Sequence, residues 1–223
     1  MKPVDARLLV VAKAPVAGTA KTRLAAHVGA ATAAGIAAAA LLDTLEVCAQ
    51  AVGPARCHLA LAGDLADAVR GEEIREALRH WQVRPQRGGS FADRLVDAHR
   101  YVDGPRVQIG MDTPQVTGAH LAEVASGLVD HDAVLAPAED GGWWALGARG
   151  PAVALPLTGV PMSQPTTYDD TSRALLAAGH TVGRAGRLRD VDEIDDLVVV
   201  AREAPSSRFA VAVGDLLGTG AMR

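Results

Sequence analysis

Aromatic side chains and cysteines are scarce in this chain. Phe, Trp and Tyr together make up 3% of its 223 residues, so a core has to be built from Ala, Val and Leu. The two cysteines, Cys48 and Cys57, form no CxxC pair and no metal-binding spacing, which predicts reduced thiols in a cytoplasmic protein. Positive charge is not in excess either. The net charge of −4 disfavours broad binding to nucleic acid or acidic membranes, although it allows a local basic pocket.

One segment lacks charged residues altogether. Residues 24–42 contain no Asp, Glu, Lys or Arg, and a helix of that length can just span a bilayer. Most of the segment is Ala, with Gly29 and Gly35 inside it, and Ala contributes little to membrane insertion. We therefore predict a helix packed closely against a sheet, and no membrane span.

Apolar runs and helical periods alternate along the chain. The predicted strands are 7–12, 56–62, 83–86, 106–110, 132–138, 143–147 and 182–190, and the predicted helices are 22–51, 64–81, 90–102, 117–129, 166–179, one from about 193, and 206–218. This alternation predicts one α/β domain over residues 1–223, with a core at about 7–200 and a C-terminal helical tail at about 201–223. Its central sheet should be mostly parallel with helices on both faces, and ligands should bind at the carboxyl ends of the strands.

The segment from Lys13 to Arg23 follows the first predicted strand and opens the first predicted helix. Gly18 allows close backbone approach, and a helix N-terminus offers free N–H groups and a positive dipole. Lys13, Lys21 and Arg23 supply three cations, which suits a multi-anionic ligand such as a triphosphate. The segment lacks the glycines of a Walker A motif. The alternative is a solvated basic loop in which Thr22 caps the helix.

Acidic residues follow two further predicted strands. Asp112 comes just after the strand at 106–110, where it is placed to ligate a hard cation such as Mg²⁺ or Mn²⁺. Asp190 and Asp192 point the same way in an extended segment and can share one ion. The alternative for Asp112 is a loop cap. The alternative for the pair is the acidic first turn of the last helix, the role expected of the acids at 193–196.

A Gly-Gly turn follows the predicted strand at 132–138. Gly141 and Gly142 leave room for a sugar or a base, and Asp140 can order the site through hydrogen bonds or act as a general base. Alternatively, Asp-Gly-Gly is an ordinary turn, and Trp143 and Trp144 simply pack in the core.

In this order and spacing, these segments resemble a family of bacterial glycosyltransferase-like proteins with the GT-A nucleotide-diphospho-sugar transferase fold, a Rossmann-like three-layer sandwich. The resemblance covers about residues 7–200 and is carried by residues 11–24 (VAKAPVAGTAKTRL), 86–89 (QRGG), 93–95 (DRL), 112–114 (DTP), 136–142 (APAEDGG), 190–192 (DVD) and 196–197 (DL). The AKTRL segment is also similar, more distantly, to the guanylyltransferases of deazaflavin cofactor synthesis.

The resemblance implies a role for each segment. In the wider fold the basic loop binds nucleotide phosphates and the acid after the central strand binds the metal. The late carboxylate pair completes the metal site in the guanylyltransferases, and the Asp-Gly-Gly segment lines the acceptor side. These roles match, in that order, Lys13, Gly18, Lys21 and Arg23; Asp112; Asp190 and Asp192; and Asp140, Gly141 and Gly142. Residues 161–164 read PMSQ where the family has an aromatic-Ser-Thr segment, a departure that concerns the acceptor pocket.

The sequence thus predicts a Mg²⁺- or Mn²⁺-dependent transferase that uses a nucleoside triphosphate or nucleotide sugar and a small-molecule acceptor. We expect catalysis from Lys21, Asp112 and Asp140; metal binding from Asp112, Asp190 and Asp192; and donor binding from Lys13, Gly18, Lys21, Thr22, Arg23, Asp140, Gly141 and Gly142. Nucleotidyl transfer fits the cations better, because a triphosphate needs more positive charge than a sugar diphosphate. Glycosyl transfer and a catalytically inactive nucleotide-binding protein are the alternatives. The amphipathic tail at 206–218 suggests a homodimer contact.

Overall fold

A computed structural model describes residues 6–218 of the chain. Its strands are β1 (Arg7–Lys13), β2 (Cys57–Ala62), β3 (Gln82–Pro85), β4 (Arg106–Ile109), β5 (Ala133–Pro137), β6 (Trp143–Ala148) and β7 (Val182–Arg184). They form one sheet in the order β3-β2-β1-β4-β6-β5-β7. The pairings are parallel except for the two made by β6, which runs antiparallel to β4 and β5. The prediction of a mostly parallel sheet is confirmed.

Helices cover both faces of this sheet. They are α1 (Thr22–Val28), α2 (Ala30–Val52), α3 (Gly71–Ala77), α4 (Phe91–Arg100), α5 (Gly118–Gly127), α6 (Thr167–Ala177), α7 (Ile194–Glu203) and α8 (Arg208–Gly218), with 3₁₀ turns at Pro54–Arg56 and Pro151–Gly159. Successive side chains of β1 point to opposite faces of the sheet. Leu8 and Val10 pack in the core under α2 and α5, and Leu9 and Val11 pack in the core under α4 and α6. The predicted three-layer arrangement is therefore confirmed.

The helix predicted at 22–51 is two helices. Gly29 ends α1 and precedes α2 with a φ of 84°, a conformation that glycine adopts without strain. The helix is therefore broken at Gly29, although the Ala-rich sequence continues on both sides of it. By length and composition α2 could cross a membrane, but 67% of its most apolar window is buried inside the fold. Its side chains Ala37, Leu41 and Leu45 lie in the core beneath the sheet, as the composition predicts.

Two other predicted elements are shorter than expected. The helix predicted at 64–81 is reduced to α3, because Arg70 takes a left-handed backbone conformation directly before it. The strand predicted at 182–190 ends at Arg184. The N–H of Ala185 still donates to Leu135 of β5, but the following N–H, that of Gly186, donates to a glutamate of α5. Pairing continues only as an isolated bridge at Leu188. Asp190 therefore lies in a loop and not at the end of a regular strand.

The C-terminal tail forms α8, whose apolar face packs within the chain. Phe209, Val213 and Leu216 are buried in a small core that α1, α2 and α7 complete. Asp43 of α2 accepts hydrogen bonds from the backbone N–H groups of Arg208 at 3.1 Å and Phe209 at 2.8 Å, which caps α8. Because this face is used inside the fold, the homodimer stays a prediction. The last part of the predicted tail, 219–223, lies outside the described residues.

The sheet reverses its winding direction between β1 and β4. The strands β2 and β3 lie on one side of this pair, and β5 to β7 lie on the other. Such a reversal opens a crevice at the carboxyl ends of the two central strands, where ligands bind in open α/β sheets. Lys13 ends β1 and Asp112 follows β4, so two of the predicted site segments meet at this crevice.

Candidate active site

The loop between β1 and α1 folds back on itself at the crevice. The Lys13 ammonium donates to the carbonyl oxygen of Thr19 at 2.7 Å, and the Thr19 N–H donates to Val16 at 3.1 Å. Gly18 has a φ of 81° with open space where a Cβ would stand. Thr22 is the first residue of α1, and the N-cap position is taken by Lys21, whose side chain makes no capping hydrogen bond. Because α1 is only seven residues long, the positive charge of the loop comes mainly from side chains and not from the dipole of a long helix.

Lys21 points away from the solvent and joins two distant acids. Its backbone is left-handed, with a φ of 48°, at the start of α1. Its Nζ lies 2.5 Å from Asp112 Oδ1 and 3.0 Å from Asp192 Oδ1, and it also donates to the carbonyl oxygen of Val191. Burial lowers the pKa of Lys21, but attraction to the two carboxylates outweighs burial and leaves the pKa raised. Lys21 is therefore held in its charged form.

Three carboxylates form a cluster beside Lys21. One oxygen atom each from Asp140, Asp190 and Asp192 lies within 4.8 Å of the other two, a spacing that one cation can bridge. Burial, followed by repulsion from Asp140 and Asp192, raises the pKa of Asp190 to about 7. Hard oxygen ligands suit Mg²⁺ or Mn²⁺, and a bound cation would relieve the repulsion between them. The residues present thus fit a divalent metal ion.

The residues predicted to bind metal lie in two places, the carboxylate cluster and the ion pair with Lys21. Asp190 and Asp192 lie in the carboxylate cluster, and Asp140 joins them there. Asp112 lies instead against Lys21. Arg23 stays at the rim, where its Nη1 lies 3.7 Å from Asp192 Oδ2 and its side chain is 68% exposed.

The Asp-Gly-Gly segment is a tight turn between β5 and β6. Asp140 Oδ1 accepts a hydrogen bond from the Gly142 N–H at 2.7 Å, and the carbonyl oxygen of Gly141 accepts one from the Tyr168 N–H at 2.9 Å. Gly141 has a φ of 91°, a conformation that favours glycine. The segment is therefore an ordinary turn in its hydrogen bonding, and the same turn carries Asp140 into the carboxylate cluster.

Sequence reasoning missed the residues that support the cluster from behind. Arg189 pairs with Glu139 and, at 3.1 Å, with Asp196. Gln115 Nε2 donates to the Arg189 carbonyl oxygen at 2.6 Å, and Asp196 accepts the backbone N–H of Asp192 at 3.0 Å. These contacts tie the loop before α7 to the turn after β5. A cation directly before an acidic run, at position 189, is the sequence signal that could have found them.

Two adjoining hollows form one cleft along the carboxyl ends of the strands. The hollow of about 350 Å³ is the basic half, and four cations line it: Lys13, Lys21, Arg23 and Arg94. The hollow of about 390 Å³ is the acidic half, and it contains Asp140 and Asp190. Five residues line both halves and mark the border between them: Val11, Arg23, Phe91, Asp112 and Asp192.

Arg94 is a cation of the basic half to which sequence reasoning gave no role. It lies on α4, which begins with a capping box between Ser90 and Asp93. The guanidinium carbon of Arg94 lies 5.5 Å from the centre of the Phe91 ring. Its Nε is buried and has no hydrogen-bond partner within residues 6–218. This unsatisfied donor makes Arg94 available to an anionic ligand.

The sequence profile of a family described as uncharacterised proteins conserved in bacteria, DUF2064, matches residues 44–164. This chain belongs to the DUF2064 family. The matched part includes Asp112 and Asp140, whereas the basic loop and the acids at 190 and 192 lie outside it. The family resemblance inferred from the motifs is confirmed. No curated protein matches the chain.

Solved structures share its fold. A candidate nucleotide-diphospho-sugar transferase from Desulfovibrio desulfuricans G20 is 24% identical with a TM-score of 0.78, over 94% of this chain and 95% of that one. A cytidylyltransferase from Leptospira borgpetersenii is 12% identical with a TM-score of 0.60, over 97% and 93%. CMP:2-keto-3-deoxy-manno-octonic acid synthetase in complex with CTP is 16% identical with a TM-score of 0.52, over 90% and 99%. These likenesses confirm the GT-A-like, Rossmann-like fold.

Proposed function

We propose that this protein is a Mg²⁺-dependent transferase that moves a nucleotidyl group from a nucleoside triphosphate to a small-molecule acceptor. The observation that carries the proposal is the division of charge along the cleft. Four cations line the basic half, three clustered carboxylates lie at the acidic half, and Lys21 and Asp192 join the two. The structural likeness to a cytidylyltransferase and to a CTP-bound synthetase supports a nucleotide donor.

The basic half would bind the phosphates of the donor. Lys13 and Arg94 line it, and the exposed Arg23 side chain lies at its border. Arginine and lysine together can contact several phosphate oxygens at once. Lys21 is already held between two carboxylates, so its ammonium group would face the reacting phosphate from a fixed position.

The carboxylate cluster would hold the metal through Asp140, Asp190 and Asp192. A bound Mg²⁺ would neutralise negative charge on the phosphates and on the departing pyrophosphate. We assign Asp112 to holding Lys21, because the ion pair between them is the contact in the structure. Asp112 thereby keeps the lysine charged and aimed between the two halves.

The reaction itself needs one bond made and one broken. The acceptor oxygen would attack the α-phosphorus while the bond to the β-phosphate oxygen breaks, and pyrophosphate would leave. The acceptor proton would pass to Asp140, the exposed member of the cluster, whose other contact is the Gly142 N–H. This is the general-base role that sequence reasoning considered for Asp140.

Glycosyl transfer is the second candidate. The similarity to a candidate nucleotide-diphospho-sugar transferase, with a TM-score of 0.78, favours it. The two reactions differ in the product that leaves. Nucleotidyl transfer releases pyrophosphate, whereas glycosyl transfer from a nucleotide sugar releases a nucleoside phosphate, so analysis of the products separates them.

The first experiment is a thermal-shift screen of nucleoside triphosphates and nucleotide sugars, each with and without Mg²⁺. A ligand at about 100 times its Kd stabilises a protein by about 2.7 kcal/mol, or roughly 5–11 °C for a domain of this size. We expect Mg²⁺-dependent stabilisation by at least one ligand. Asp190→Asn should remove the Mg²⁺-dependent part, whereas Asp195→Asn, which changes an exposed acid of the nearby α7, should keep it.

Two results would contradict the proposal. If no nucleotide or nucleotide sugar shifts the melting temperature, the cleft does not bind such donors. If Asp190→Asn and Asp195→Asn retain the same Mg²⁺-dependent shift, the carboxylate cluster is not the metal site.

A further inference from the structure

The acidic half of the cleft has a polar floor set into an apolar face of the sheet. Gln108 of β4 stands in register with Leu9 and Leu146, which both belong to the apolar core on that face. Gln108 is only 3% exposed, yet it lines the cleft. Among the described residues, Gln108 Oε1 makes no hydrogen bond of ordinary geometry, and the buried His99 of α4 is the side chain that interacts with it. An amide oxygen has two lone pairs, so at least one acceptor site of Gln108 remains after the contact with His99, and a ligand that donates a hydrogen bond would fill it.

Thr113 repeats this arrangement in the loop after β4. It is 2% exposed, it lines the same half, and its Oγ1 lacks a hydrogen-bond partner within 6–218. The Gln108 amide and the Thr113 hydroxyl are both uncharged. A hydroxyl group of a ligand can donate a hydrogen bond to the Gln108 oxygen, and it can donate to or accept from the Thr113 hydroxyl. The floor is therefore suited to hydroxyl groups.

The walls of the acidic half are apolar. Trp143, Trp144 and Met162 line it. The indole N–H groups are already used, because Trp143 donates to Thr171 at 3.1 Å and Trp144 donates to the carbonyl oxygen of Gly186 at 2.9 Å. The indole groups therefore offer carbon surface to a ligand, which suits the C–H faces of a sugar or polyol.

The charges of the acidic half oppose an anionic ligand. Arg23 is the one cation among the described residues that line it, and Arg23 lies at the border, 3.7 Å from Asp192. Asp140 and Asp190 stand beyond that border. One divalent ion does not fully neutralise three ionised carboxylates. Arg106 is buried in the sheet two residues before Gln108 and does not line the cleft.

We propose that the acidic half accepts an uncharged polyhydroxy compound, a sugar or polyol without phosphate or carboxylate groups, and that Gln108 and Thr113 determine this specificity. The inference rests on the proposed function, since the acidic half faces the acceptor only if the nucleotide occupies the basic half. A phosphate or carboxylate in the acidic half would meet like charge and find no cation of its own.

The test measures binding of matched acceptors by saturation-transfer NMR, with Mg²⁺ and each of the four common nucleoside triphosphates present. The probes are glycerol with glycerol 3-phosphate, ribose with ribose 5-phosphate, and glucose with glucose 1-phosphate and gluconate. We expect at least one neutral probe to bind at least tenfold more tightly than its charged relatives. Gln108→Leu should weaken that binding about tenfold, whereas Gln82→Leu, the same change on an exposed residue at the start of β3, should not alter it.

A preference for the phosphorylated or carboxylated probes would overturn the inference. So would the absence of binding by every neutral probe to protein that still shows Mg²⁺-dependent nucleotide binding. Equal affinity of wild type and Gln108→Leu for a neutral probe would remove Gln108 from the specificity pocket. Failure of the proposed function is recognised separately, because nucleotides would then give no thermal shift whatever the acceptor probes do.

Discussion

The turn that carries Asp140 is locked by one glycine, and replacing that glycine gives a quantitative test of the site. Gly141 has a φ of 91°. A Cβ added there would overlap the carbonyl oxygen of Pro165 and would lie 2.7 Å from its carbonyl carbon. Pro165 belongs to the segment 162–165, which lines the acidic half. Gly141→Ala should therefore disturb both the turn and this wall of the cleft.

Two effects add up in Gly141→Ala. The left-handed conformation costs a non-glycine residue about 1–2 kcal/mol, and forcing extra atoms into a packed site costs about 1–3 kcal/mol. The expected loss in the free energy of unfolding is thus about 2–5 kcal/mol. Gly179→Ala is the matched control, because Gly179 has a φ of 85° but open space around the Cβ position. It should lose only about 1–2 kcal/mol from backbone strain.

Urea unfolding followed by circular dichroism measures both variants on the same scale. The difference between them isolates the overlap with Pro165 and should be at least about 1 kcal/mol. Equal losses in the two variants would show that the 162–165 segment does not pack against the turn, and the geometry of the acidic half would have to be revised.

Three further predictions concern charge. The raised pKa of Asp190, about 7, means that the folded state holds a proton which the unfolded state has lost above about pH 4. The metal-free protein should therefore lose stability as the pH rises from 4 to 7, and its affinity for Mg²⁺ should rise between pH 6 and 8. In thermal melts, Asp190→Asn should flatten the dependence of stability on pH. Lys21→Met leaves two half-exposed carboxylates facing each other and should lower stability by about 2 kcal/mol in urea unfolding, with partial recovery in Mg²⁺; the exposed Lys13→Met should change it little. Asp43→Ala removes the cap of α8 and should lower stability by about 1–2 kcal/mol, whereas no such loss is expected for Asp195→Ala.

The layers of the fold follow from local pattern, and the breaks in its elements do not. The apolar runs near residues 7–12 and 132–138 become β1 and β5, because strands buried on both faces need continuous apolar sequence. The break at Gly29 is hidden, since small residues continue on both sides of it. The strand predicted at 182–190 ends early because a tertiary contact takes the backbone N–H of Gly186, which no local pattern reveals.

The acids of the site were recognisable from the sequence, but their pairing was not. Asp190 and Asp192 share a short extended segment, so their proximity follows from local geometry. Asp140 and Asp112 reach the same crevice from different strands, and which of them faces the lysine depends on the antiparallel β6 and on the turn before it. The short Asp-Gly-Gly connection was the available signal for that reversal, because parallel strands need a longer crossover. Gln108 carried no signal, since an amide within a strand does not show which face it lines.

The contact of Lys21 with Asp192 joins residues 171 positions apart in the chain. During synthesis the basic loop is made early and Asp112 follows it, but the second carboxylate partner of Lys21 is missing until the loop before α7 has left the ribosome. The entropic cost of closing so long a loop is only slightly greater than that of closing a shorter one, since each doubling of loop length adds about 0.6 kcal/mol. The contact nevertheless forms late in folding, because its two residues are far apart in the chain. Ligand capture thus becomes possible only when nearly the whole sheet is in place, and a chain stalled before residue 190 would hold the loop without the site.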